Sequence, residues 1–497
     1  MNKNERLGAL AALLALLFAP PAPADFQEAY RQYVAGQYPQ ARAEFLALAE
    51  LGSASSQYNL GAMSLHGQGT PKSMGEGVGW LAAAVENGYT GIAPGKVDAM
   101  RAKLADADRE IARGIVAKYG KQAMLERVLP AGDLEAHCAY SSAPEAVQFQ
   151  RLNYPTVLGR QDGIVIVEST IGRDGLARDP QILAAAPLEE FAPAAVESAM
   201  RSRYQPALRD GSPVESRHTT RFVFRFDEGG TLWNVKAIGQ LKELADRGDV
   251  GALYVLGIAA TLDRSLEIPA ERAQSMLLTA AQGGNSHAQY WVAHKLAQRS
   301  DCGEGAKKLV WLRQAAAAGN GPAQVSLASA LLQAGGEADV SQARALLERA
   351  ADSKDYYARK HAIAMLCTTE LATLRNTQKA LEASKALMKD AMRVDPQAHE
   401  VAAAAYAAAG DFRVAVEQQQ AALKKAQALH WNTSLMDERL AAYRSGRPWT
   451  GDLFAVPPTT VALPPLRDGS PGCRKDDSRC KRDADRLKTE TGTLIPK

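Results

Sequence analysis

One small frame recurs along this chain at nearly constant spacing, and it restricts the fold more than any other feature. The pattern A-A-x-x-G-x-x-x-A appears as Ala280-Ala281…Gly284…Ala288 and as Ala315-Ala316…Gly319…Ala323. It returns as Ala350-Ala351…Ala358 with Lys354 in the glycine slot, and upstream as Leu244-Ala245…Gly248…Ala252. Positions 248, 284, 319 and 354 are 36, 35 and 35 residues apart, and Gly52 and Gly88 are again 36 apart. A period near 35 suits two antiparallel helices per unit. Paired alanines let helices approach closely, and a glycine just past a helix end takes a left-handed cap without a Cβ clash. Helical repeats are therefore expected over 25–130 and 232–450.

The frame is preceded by a segment of another kind. Lys3 and Arg6 form a basic head, Leu7 to Ala19 is apolar, Pro20-Pro21 breaks the run, and Ala22-Pro23-Ala24 supplies an A-x-A site. This is the layout of a secretory signal peptide over 1–24, with a mature start at Asp25. No cysteine follows the apolar run to carry a lipid, and no later stretch is long and apolar enough to span a membrane. The expectation is an exported, periplasmic protein; the alternative is an inner-membrane anchor through an uncleaved N-terminus. A net charge of +3 over 497 residues gives no reason to expect nucleic-acid binding. The five cysteines leave at least one unpaired. Cys473 and Cys480 lie in a polar tail and could close a small disulfide loop. That tail, 452–497, carries Pro457-Pro458, Pro464-Pro465 and mixed charge, and is expected to be extended and disordered.

The repeats resemble a known family. Residues 53–88 carry Asn59-Leu60-Gly61, Gly67-x-Gly69, Trp80 and Ala83-Ala84 before Gly88. These features are similar to Sel-one-like repeats, relatives of the tetratricopeptide family. The later units lack the Gly-x-Gly loop, and Ala405, Gly410-Asp411-Phe412 and Ala415 read as a tetratricopeptide helix pair. The resemblance implies scaffolds for protein partners.

Between the repeats the pattern changes. Gly163 to Ile171 is β-branched and strand-like. Arg173-Asp174-Gly175 is a turn, Arg178 to Ala184 can return as a second strand, and Leu188 to Arg203 has helical spacing with Phe191, Ala195, Val196 and Ala199 on one face. Asp210-Gly211 turns again, and Arg221 to Phe226 alternates strictly, with Phe222, Phe224 and Phe226 on one side. Strand, strand, helix, strand makes an α+β unit over 139–228. Tyr154-Pro155, Gly163-x-Val165-x-Val167, Asp174-Gly175, Phe191, Ala194-Ala195, Arg203-Tyr204-Gln205-Pro206-Ala207 and Gly211-Ser212-Pro213-Val214 stand in an order that resembles the C-terminal domain of TonB-type energy transducers. The whole chain thus reads as multidomain: a mostly α helical-repeat solenoid with an inserted α+β (ββαβ) domain.

The TonB resemblance implies β-augmentation, in which an exposed strand edge pairs with an extended peptide. Here that edge would be Arg217, Thr219, Arg221, Val223 and Arg225, with the arginines toward solvent to attract an acidic peptide. Edge arginines also serve simply to prevent edge-to-edge aggregation, and both roles stay open. The resemblance departs from a full transducer in its cleavable leader, in repeats where a proline-rich spacer would stand, and in the internal position of the domain.

No G-x-S-x-G, H-E-x-x-H, Walker loop or C-x-x-C is present. Gly75-x-Gly77-x-Gly79 reads as an inter-helix loop. His287, Tyr290, Trp291 and His294 read as one face of a repeat helix, and Glu168 and Asp174 as solvated carboxylates. The expected function is a non-enzymatic scaffold with no cofactor and no metal. Its partner would be a protein or extended peptide, such as an outer-membrane receptor or envelope complex. The alternatives are a TonB-type energy transducer and an enzyme with a site in the repeat groove.

Overall fold

The computed structural model describes residues 24–457 except 133–142, 149, 151, 154, 156–162, 187–188, 225–234, 263–265, 299–304 and 391–393. The leader through position 23, Cys138, Tyr154, Arg225, Phe226, Cys302 and the tail from position 458, with Cys473 and Cys480, lie outside the described residues. The first residues of the expected disordered tail, 452–457, are described and correct that expectation at its start: Leu453 is buried in the main core and Phe454 packs against it, because both are apolar.

The described residues open with seven helices: α1 (Phe26–Val34), α2 (Tyr38–Ala49), α3 (Ala54–His66), α4 (Met74–Glu86), α5 (Pro94–Ala102), α6 (Asp106–Tyr119) and α7 (Lys121–Arg127). After the sheet region come α9 (Val235–Asp246), α10 (Val250–Leu262), α11 (Ala270–Gln282), α12 (Ser286–Gln298), α13 (Lys308–Ala317) and α14 (Gly321–Ala334). The array ends with α15 (Glu337–Ala351), α16 (Tyr356–Thr368), α17 (Thr377–Asp390), α18 (Pro396–Ala408), α19 (Phe412–Ala428) and α20 (Ser434–Arg444). Helices pair as α3 with α4, α10 with α11, and so on to α18 with α19.

The frame explains where the units begin. Gly88 and Gly284 have φ of +99° and +100°, in the left-handed region that ends a second helix. The next first helix then starts on a polar side-chain cap. Ser53 accepts from Ser56 N, Asn320 from Ala323 N and Asp355 from Ala358 N.

The Gly75-x-Gly77-x-Gly79 run is helix α4 and not a loop. A Cβ on Gly75 would lie 2.6 Å from the Asp108 carbonyl oxygen, and one on Gly77 would strike Leu65. The glycines let α4 approach α6 on one side and α3 on the other.

The helices on both sides of the sheet region share one hydrophobic core. It runs from Ala29 and Phe45 through Trp80, Leu277 and Trp311 to Val401. Polar bonds stitch the junction. Trp311 Nε1 donates to the Val128 carbonyl at 3.0 Å, Lys307 Nζ to Leu129 O at 2.9 Å, and Phe26 N to Gly283 O at 3.1 Å.

The sheet region emerges between these halves. It comprises β1 (Glu145–Gln148), β2 (Gly163–Ile171), β3 (Ala177–Ala186), α8 (Ala192–Arg201), β4 (Arg203–Gln205), β5 (Ala207–Arg209), β6 (Ser212–Val214) and β7 (Ser216–Phe224). The main sheet is antiparallel in the order β3-β2-β7. Gly175, at φ +72°, closes the β2–β3 hairpin while Asp174 Oδ1 accepts from Leu176 N. On one face Phe224 packs its ring 4.8 Å from Phe191, and Tyr204 meets His218. The other face is turned to the helical array: Ile164 and Ile166 join the main core, with Leu183, Ala184 and Val223 packed against it. Both faces of this small sheet are therefore covered.

Candidate functional site

The polar end of the array-facing side carries a cluster of buried charge. Its centre is Glu168, fully buried on β2, opposite Thr219 of β7 and Gln181 of β3. Arg217 approaches Glu168 Oε2 at 3.0 Å, and His294 Nε2 lies 2.7 Å from Oε1. Burial alone would raise this carboxyl; the His294 ring and the Arg217 guanidinium overcome it and hold Glu168 well below the ordinary range.

Asp179 reaches the cluster through a bulge. Two residues of β3, Asp179 and Pro180, oppose the single Ser169 of β2. Asp179 sits at φ +49°, a conformation uncommon for any residue but glycine, asparagine or aspartate. Its carboxylate meets His361 Nε2 at 2.9 Å, Lys360 Nζ at 3.1 Å and Arg217 Nη1 at 3.3 Å, and its amide donates to Gln397 Oε1 at 3.1 Å. Burial again opposes the charge, and His361 and Lys360 keep the group ionised, well below the usual carboxyl range.

The helices supply the other half. Tyr290 and His294 stand on α12, Tyr357, Lys360 and His361 on α16, and Gln397 on α18. All three are first helices of their pairs. Tyr290 and Gln181 share a 2.9 Å hydrogen bond. The Arg217 guanidinium lies 5.7 Å from the centre of the Tyr357 ring, and His361 stacks between Tyr357 and Phe454. Lys360 is fully buried. Burial works against its charge, but Asp395, at 3.1 Å, and Asp179 raise its affinity for the proton. Asp395 is in turn bonded by the Tyr356 hydroxyl at 2.9 Å.

Chemically this is a closed ionic network. Its one buried amine, Lys360, is paired with Asp179 and Asp395, and burial and neighbouring charge raise the Tyr357 hydroxyl well above its ordinary value. Among the described residues no group of His, Cys, Asp and Glu is arranged to hold a metal ion. Cys367 is buried, and burial pushes its thiol up to about 12.

Comparison with known proteins agrees with this architecture. Residues 150–226 match the model of the Gram-negative bacterial TonB protein C-terminal domain. Residues 54–89 and 321–355 match the Sel1 repeat. The middle of the chain thus resembles a TonB C-terminal domain, set between segments that match the Sel1 repeat. No match is found among curated proteins. Among solved structures, the chain is similar to a protective antigen present in uropathogenic Escherichia coli strains displaying an SLR fold. Identity is 16% over 88% of this chain and 89% of that one, with a TM-score of 0.28, at which the overall likeness carries no argument. The matched families are interaction modules, and no helix among the described residues is long and apolar enough to cross a membrane.

Within the TonB-like domain the expected edge residues are dispersed. Arg217 is half-buried, not a free solvent-facing arginine: it pairs with Glu168 and Asp179 between sheet and array. Thr219 and Arg221 are exposed, Val223 is half-buried, and Arg225 is outside the described residues. Glu168 and Asp174 are likewise not solvated. Asp174 is buried against Arg178 at 2.6 Å, and Glu168 carries the network. The aromatic face at Tyr290 and His294 is a repeat helix, as its spacing suggests, but its polar members serve the sheet. Asp179, Lys360, His361 and Gln397 were not singled out by spacing. The one sequence signal is a run of charge, Arg178-Asp179, set against Pro180 inside an otherwise apolar strand.

Proposed function

We propose that this chain is an exported, non-enzymatic scaffold of the bacterial periplasm. Its helical repeats hold protein partners, and its TonB-like sheet captures an extended peptide. The observation that carries the reading is the place of β7: it ends the β3-β2-β7 sheet, so the described strands pair with one side of it only. The other side offers main-chain donors and acceptors to an added strand. Exposed Thr219 and Arg221 flank that edge. The alternative is an energy transducer anchored by its N-terminus, in keeping with the envelope setting typical of TonB-family domains.

The test is partner capture from envelope extracts by wild type and by Val223→Pro, which removes a strand N–H. Loss of capture, with β2 amides still protected from hydrogen exchange, supports pairing at β7. Unchanged capture by a folded variant contradicts it. N-terminal sequencing of the exported protein separates scaffold from transducer: a start at Asp25 favours the scaffold.

A further inference from the structure

Acceptors and donors are sorted across the junction of sheet and array. The sheet contributes the carboxylates Glu168 and Asp179, and the first helices contribute the Lys360 ammonium and the His294 and His361 ring nitrogens. Asp179 N also bonds Gln397 across it, Gln181 bonds Tyr290, and Arg217 lies over the Tyr357 ring. The junction is also graded along its length. Ile164, Ile166 and Val223 make its near end apolar, whereas Glu168, Thr170 and Arg217 make its far end ionic.

Each side carries its own counter-ion as well. Arg217, on the sheet, bonds both Glu168 and Asp179. Asp395, on the array, bonds Lys360 at 3.1 Å. Parting a buried ion pair is usually prevented because a charge is left without a partner. Here Glu168 and Asp179 stay paired with Arg217 on the sheet, and Lys360 stays paired with Asp395 on the array.

We infer that the first-helix face of the array is a carboxylate-reading surface, that the sheet occupies it in cis, and that Glu168 and Asp179 form a releasable latch which keeps an acidic polypeptide off that face. The apolar end at Ile164 and Ile166 stays seated while the ionic end lifts. The occupant that replaces the sheet is an acidic, extended polypeptide, because the exposed side chains would be Lys360, His361 and His294, with Gln397 and Tyr290 as flanking hydrogen-bonding groups. This deepens the scaffold reading and rests on it, but it does not depend on pairing at β7. Failure of the Val223→Pro test leaves it standing.

The experiment uses the full chain, with poly-L-glutamate as the probe. The amide of Asp179 reports on the latch because its bond to Gln397 crosses the junction, whereas Val167, in the central strand, reports on the sheet itself. Residue-resolved hydrogen exchange should show Asp179 exchanging at least tenfold faster than Val167, and faster still with poly-L-glutamate. Glu168→Gln with Asp179→Asn should bind the probe at least tenfold tighter than wild type. Identical exchange of Asp179 and Val167, or no response of Asp179 to the probe, overturns the inference. So does equal binding by a folded double variant. If the double variant does not fold, the wild-type exchange data decide.

Discussion

Several interactions converge on Arg217: with Glu168, Asp179, Thr170, Gln181 and the ring of Tyr357. Truncating it as Arg217→Met leaves two buried carboxylates short of a partner. The expected loss is about 3–5 kcal/mol of unfolding free energy by chemical denaturation, the range for breaking a buried pair. The pH dependence has a definite sign. Glu168 and Asp179 have depressed folded-state pKa values, so the unfolded chain binds more protons near its own carboxyl pKa of about 4. The stability they contribute is complete above that pKa and is lost as pH falls through it toward the folded values. Denaturation midpoints should therefore drop between about pH 5 and pH 3. In Glu168→Gln/Asp179→Asn the drop should be shallower; an equal slope would remove these two groups from the account.

At the scale of elements, the glycines divide into two kinds that should respond differently to alanine. Gly88 has φ +99° and open space around it, so Gly88→Ala meets only the left-handed penalty of about 1–2 kcal/mol. Gly75 lies in a helix, where a Cβ would press on the Asp108 backbone. Gly75→Ala gains helix propensity but must push α4 and α6 apart, at a net cost of about 1–3 kcal/mol. Thermal melting of the two variants should be accompanied by altered packing of α6 only in the second, read by hydrogen exchange at Asp108. Local signals of this sort were legible in the sequence. The 35-residue frame, the Asp174-Gly175 hairpin, the helix after Phe191 and the alternation at Phe222 and Phe224 each depend on neighbours within one or two elements. The covering of the sheet's second face was not legible. Alternation tells which residues share a face but not what lies over it, and polar residues at 217–221 read naturally as solvent-facing. Their partners are remote: His294 is 126 positions from Glu168, and His361 is 182 from Asp179. The glycine run in α4 misled for a related reason. Glycine marks both loops and close helix contacts, and only the opposing helix decides between them.

At the scale of the molecule, the helices before and after the sheet share one core, joined at Trp311 and Val128. They should lose protection together on warming. Trp311→Phe, which deletes the bond to Val128, should raise exchange in α3 and α4 as much as in α13 and α14; exchange confined to α13 and α14 would mean two independent arrays. The sheet is a third party held against the array by both apolar packing and ionic contact, and the account depends on that contact existing as described. A double-mutant cycle on Asp179 of the sheet and Lys360 of the array measures it. Unfolding free energies of wild type, Asp179→Asn, Lys360→Met and the double variant should give a coupling of about 1–3 kcal/mol, the size expected for residues in one ionic network. A coupling within about 0.3 kcal/mol of zero, the additivity of independent sites, would contradict the docking of the sheet on the array.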